Sequence, residues 1–113
     1  METSVGRVVQ VNDGDFDTEV IGSTIPVLVD FYADWCGPCK LVAPTMETLS
    51  KEYAGKVKFV KVNVDNNPDV ASKYDIMSIP TAILFERGTV KDSVVGAVTA
   101  AAYRQRIDHA LSA

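Results

Sequence analysis

Pro26-Val27-Leu28-Val29-Asp30-Phe31-Tyr32-Ala33, followed at once by Asp34-Trp35-Cys36-Gly37-Pro38-Cys39-Lys40, is the stretch that decides the fold. Its first eight residues are almost continuously apolar and β-branched, the composition of a central strand covered on both faces. Asp30 is the one carboxylate in that run. Beyond Lys40, Val42, Met46, Leu49 and Tyr53 recur at i, i+4, i+7 and i+11, which predicts a helix with one buried stripe running to about Tyr53. Pro44 should kink that helix, and Gly55 is a plausible end signal. Cys36 and Cys39 therefore sit where a central strand ends and a helix begins.

Flanking segments extend the pattern. Val8-Val9-Gln10-Val11 reads as a short strand, and Asn12 and Asp13 offer N-cap oxygens to a helix through Phe16 and Val20. After the central strand and its helix, Val57 to Val64 alternates as a strand. Asn67-Pro68 then starts a short helix through Val70 and Tyr74. Thr81 to Phe85 and Val90 to Val95 form a hairpin about Glu86-Arg87-Gly88-Thr89, where Gly88 supplies a positive φ. Thr99 caps a last helix carrying Tyr103, Ile107 and Leu111. The order β-α-β-α-β-α-β-β-α predicts an α/β fold: a mixed five-stranded sheet sandwiched between four helices, with parallel pairing among the first three strands and antiparallel pairing at the hairpin end. Residues 1–6 read as a flexible N-terminal tail and 7–113 as a single domain.

The composition fits that architecture. With 113 residues, 47% of them hydrophobic and 23% charged, the chain can bury a core without help from metals or disulfides. Its 15 acidic and 11 basic residues give a net charge of −4, which argues against nucleic acid and against an anionic membrane as partners. The N-terminus shows no basic and apolar signal-peptide regions, and the longest apolar run is far short of the roughly 20 residues that span a bilayer. The expectation is a cytoplasmic protein, or an organelle stroma or matrix protein whose transit peptide has been removed.

The chain has two cysteines, three positions apart. A bridge between them closes almost no loop, so a stabilising role explains little. Incidental buried thiols are one reading. A zinc knuckle is another, but it needs four ligands and only His109, on the terminal helix and expected to be exposed and idle, is added to the pair; a metal or cluster bridging two chains stays open. Redox catalysis is the third. At a helix N-terminus the partial positive charge and free N–H groups favour the Cys36 thiolate and make it the nucleophile. Cys39, one turn deeper, is the resolving thiol. Gly37 allows close approach of another chain, and Pro38 stiffens the turn. A buried Asp30 would have a raised pKa suited to accepting a proton from a thiol.

Phe31-Tyr32-Ala33-Asp34-Trp35-Cys36-Gly37-Pro38-Cys39-Lys40 resembles the active-site signature of the thioredoxin family, and Pro44, Lys61 to Asp65, Ile79-Pro80-Thr81, Gly88 and Gly96 fall at that family's recurrent positions. The likeness extends from about Val8 to Leu111. It implies the thioredoxin fold and a thiol–disulfide oxidoreductase of the reducing branch, a protein-disulfide reductase with no bound cofactor beyond a redox-active Cys36–Cys39 disulfide. It places Asp30 as base behind Cys39 with Lys61 close by, makes Pro80 a cis proline beside the disulfide, and pairs the Ile79 backbone with substrate. Trp35, next to an exposed nucleophile, would shield the site and contact partners, and Gly96 and Ala97 would complete an apolar rim with Trp35 and Ile79. The implied partners are disulfide-containing proteins and a thioredoxin reductase, either an NADPH-dependent flavoprotein or a ferredoxin-linked enzyme, acting on a monomer. Tyr32, where the family often has Trp, and Asp34, a negative charge beside the site, depart from the commonest pattern, and Met77 stands at a variable position. The contrasting reading is a redox-independent binding module that uses the Trp35–Ile79–Gly96 surface.

Overall fold

The computed structural model describes residues 5–112, so part of the expected tail, residues 1–4, lies outside the described residues. Strands β1 (Val8–Gln10), β2 (Val27–Tyr32), β3 (Lys58–Asn63), β4 (Thr81–Glu86) and β5 (Thr89–Val95) form one sheet in the order β1-β3-β2-β4-β5. The first three pair in parallel, and β4 runs antiparallel to both β2 and β5. Helices α1 (Gly37–Glu52), α2 (Pro68–Lys73) and α3 (Ala100–Ser112) cover it. This is the expected mixed sheet of the thioredoxin fold.

Side-chain alternation along the central strand sorts the core into two layers. Leu28 of β2 joins Phe59, Ala82 and Leu84 against Val42, Met46 and Leu49 of α1 and Tyr103 and Ile107 of α3. Val27, Val29 and Phe31 face the other way, where Val60, Val62, Ile83 and Phe85 meet Phe16, Val20 and Val70. Asp30 shares parity with Leu28 and so points toward α1.

Three local expectations are corrected. The segment after β1 is a 3-10 turn (Asp13–Asp15) and a π turn (Asp17–Ile21), not an α-helix. Asp13, Gly14, Asp15 and Asp17 are weak helix formers. Moreover, the Asp13 carboxylate accepts hydrogen bonds from the N–H groups of Val70 (3.0 Å) and Asp69 (3.3 Å), so it caps α2 across the fold. Asn67 is not the capping side chain of α2: its amide donates to Asn12 and to the Asn63 carbonyl, and its oxygen accepts from the Asp13 N–H. On α3 the buried stripe is Tyr103, Ile107 and Ala110, with Leu111 exposed. Thr99 does cap α3, accepting from the Ala102 N–H at 3.1 Å. Helix α1 continues through Pro44. The hairpin turn uses positive φ at both Arg87 (51°) and Gly88 (81°), which matches the twist of the strands it joins.

Candidate active site

Cys36 is the N-cap of the 16-residue α1, in extended backbone conformation after the turn Ala33-Asp34-Trp35 that follows β2, and Pro38 occupies the first turn, where no N–H is needed. Cys36 and Cys39 form a disulfide with Cα atoms 5.3 Å apart. The Cys39 N–H points at Cys36 Sγ, 3.2 Å away. A thiolate at Cys36 would therefore accept from a helix-terminal N–H and face the positive end of the α1 dipole. Both cysteines are nearly buried, at 3% and 4% exposure, which corrects the expectation of an exposed Cys36. They pack with Ala33 and against Tyr32, Val64 and Ile79. Gly37 and Pro38 are exposed, and a Cβ built on Gly37 meets nothing within 4 Å, so an approaching chain finds open space there.

Behind Cys39 lies a cleft of about 160 Å³ lined by Asp30, Tyr32, Asp34, Cys39, Lys40 and Lys61, among others. Asp30 is 5% exposed and its Oδ1 has no hydrogen-bond partner. Burial pushes its carboxyl from the ordinary 3.8 up to about 6, against the pull of the Lys61 ammonium. Lys61 is in register with Asp30 on the neighbouring strand, but its Nζ lies over the Tyr32 ring, 5.6 Å from the centroid. Asp30, with its Oδ1 unpartnered, and Cys39 thus line the same cleft.

On the opposite side, Ile79-Pro80 is cis and the Ile79 carbonyl oxygen lies 3.8 Å from Cys36 Sγ. Pro80 is buried and its carbonyl accepts from the Gly96 N–H at 2.8 Å, which brings the end of β5 to the site. Gly96 (φ 91°) is half-buried and Ala97 exposed. Trp35 is 70% exposed, yet its indole N–H donates to Asp65 at 2.8 Å, a tether across thirty positions of sequence. Composition and spacing do not single out Asp65 as the anchor of Trp35, nor Gln10, whose amide donates to the Tyr32 hydroxyl at 3.0 Å. His109 is exposed, as is Met77. Among the described residues, no three His, Cys, Asp or Glu side chains gather into a metal site, and no helix is long and apolar enough to cross a membrane.

The thioredoxin family profile matches residues 7–109. The chain belongs to the thioredoxin family. It is 51% identical over 105 residues to "Thioredoxin M-type, chloroplastic" of Pisum sativum, 93% of this chain and 61% of the pea protein. It is 52% identical over 99 residues to "Thioredoxin 1" of Nostoc sp., covering 88% of this chain and 92% of that protein. "Thioredoxin 1" of Synechococcus elongatus is 56% identical over 88 residues, 78% of this chain and 82% of the relative. The chain thus spans about three fifths of the pea relative and nearly all of the Nostoc one. As in the rest of the thioredoxin family, the redox centre is a disulfide that needs no cofactor, with Cys36–Cys39 as its two-electron store. The thioredoxin-family chain is a dithiol–disulfide oxidoreductase.

Proposed function

We propose that the chain reduces disulfides in other proteins, with Cys36 as nucleophile and Cys39 as resolving thiol. The observation that carries this reading is the disulfide at the N-terminus of α1, with one face on the Ile79 carbonyl and the other on the unpartnered Asp30. The Cys36 thiolate attacks one sulfur of a substrate disulfide, forming a mixed disulfide and expelling the other sulfur as a thiolate that takes a proton from water. Asp30 accepts the Cys39 proton, and the Cys39 thiolate then attacks Cys36 Sγ. The second substrate thiolate leaves, and the Cys36–Cys39 disulfide remains. Two electrons pass from the dithiol to the substrate, and a separate dithiol donor restores them. A base with a pKa near 6 is ionised at neutral pH yet close enough to it for proton exchange.

Lys61 polarises the cleft, while Trp35, Gly37, Pro38, Ile79, Pro80, Gly96 and Ala97 form the surface met by substrate. The chain acts as a monomer on protein substrates. The chloroplastic and cyanobacterial names of the relatives support a plastid stroma or a cyanobacterial-type cytoplasm, and with it a ferredoxin-linked reductase rather than an NADPH-dependent flavoprotein. Insulin-disulfide reduction coupled to each reductase in turn tests the assignment. Cys36→Ser abolishes turnover and Cys39→Ser accumulates mixed disulfides; turnover retained in Cys36→Ser overturns the reading, and partner binding that survives loss of both thiols favours a redox-independent module.

A further inference from the structure

Lys61 stands in register with Asp30 across β2 and β3, yet no ion pair joins them, and Asp30 Oδ1 is left without a partner. Both side chains line the cleft, and Lys61 has another neighbour there. The Lys61 ammonium sits over the Tyr32 ring, within the distance at which a cation and an aromatic face attract. The Tyr32 hydroxyl is held by Gln10 of β1, at 3.0 Å, so the ring spans β2, β3 and β1 and is fixed at its outer end. Partial burial, with the Asp34 charge adding to it, pushes the Tyr32 phenol up, so the ring stays neutral.

We propose that Tyr32 is a positioning residue whose ring, anchored by Gln10, holds the Lys61 ammonium off the Asp30 carboxylate. This rests on Asp30 serving as the base for Cys39. The groups that bear on Asp30 are Lys61 on β3, Tyr32 at the end of β2, Asp34 in the turn that follows it, Cys39 and Lys40 on α1, and Tyr103 on α3. Of these, Lys61 is the cation in strand register with Asp30, and its partner decides how basic the carboxylate remains.

The test is a carbon-13 carboxyl NMR titration of Asp30 in the oxidised protein, where neither cysteine titrates. Tyr32→Leu releases Lys61 toward Asp30 and lowers the Asp30 midpoint by about one pH unit, the lower end of what a contacting opposite charge does. Gln10→Ala, at an exposed position, lowers it in the same direction by less and keeps the test alive if Tyr32→Leu does not fold. In a Lys61→Met background both substitutions lose their effect. An equal fall in both backgrounds would mean that water entry, not Lys61, moves Asp30, and would overturn the proposal, as would an unchanged midpoint in Gln10→Ala and Tyr32→Leu. The base reading is tested separately: resolution of the Cys36 mixed disulfide that is unslowed in Asp30→Asn removes the base while leaving the titration cycle interpretable.

Discussion

Replacing Asp30 by Asn should stabilise the folded protein, and only at pH values where the native carboxylate must ionise. In the unfolded chain Asp30 titrates near its ordinary 3.8, and in the native state burial holds it at about 6. Between these values the native state binds the extra proton, so the Asp30 contribution to stability falls as pH rises through the window. At 1.36 kcal/mol per pKa unit the full rise costs about 3 kcal/mol by pH 7, a substantial fraction of a domain's total stability. Asn is nearly isosteric and carries the same unpartnered position, so its packing and hydrogen-bonding deficits stay constant with pH. Urea denaturation of the oxidised wild type and Asp30→Asn, from pH 3.5 to 8, isolates the ionisation. The stability difference should be flat below about pH 4, grow in favour of Asn by up to about 3 kcal/mol across pH 4–7, and level off above. A difference that stays constant over the whole range would refute the claim that this carboxyl is desolvated in the native state.

Other positions give sharp outcomes. Asp65→Ala removes the acceptor of the Trp35 indole; losing a bond of about 1 kcal/mol should raise KM for insulin reduction about fivefold while leaving Cys36 alkylation unchanged. Asp13→Ala strips two N–H partners from α2 and should cost about 1 kcal/mol in urea denaturation, with amide exchange quickening at Asp69 and Val70. Gly88→Ala forces a side chain into φ 81° with its Cβ 3.0 Å from Ile21 Cγ2, and should cost about 1–2 kcal/mol or more by thermal unfolding.

Much of the fold was legible in periodicity. The apolar run of β2, the Val42–Met46–Leu49 stripe of α1 and the turn at Gly88 are local patterns, and each appears where those patterns put it. Periodicity points to a helix after β1 because Phe16 and Val20, both buried, share a helical spacing that a 3-10 turn followed by a π turn also satisfies. Asn67 looked like a cap because Asn before Pro usually is one. The structure gives that task to Asp13, fifty-seven positions from Val70, since Asn67 is committed to tying Asn12 and Asp13, just after β1, to the end of β3. The burial of Cys36 is hidden from the sequence for a related reason: it comes in part from Ile79 and Val64, contributed by distant segments.

Within the site, residue types and junctions were readable, and partners were not. Strand followed by Cys36-Gly37-Pro38-Cys39 and helix is a local arrangement, so the cysteine pair and its place at a helix terminus, where a thiolate is favoured, follow from the order of residues alone. The basicity of Asp30 does not, because desolvation sums over every group around it, from α1 to β3. The same holds for the Trp35–Asp65 tether and for Lys61 over Tyr32, which depend on side chains about thirty positions apart in sequence coming into contact. The sequence by itself determined which atoms can exchange electrons. Only the tertiary structure decided where the accompanying proton can go, since that depends on distance and dielectric rather than on order along the chain.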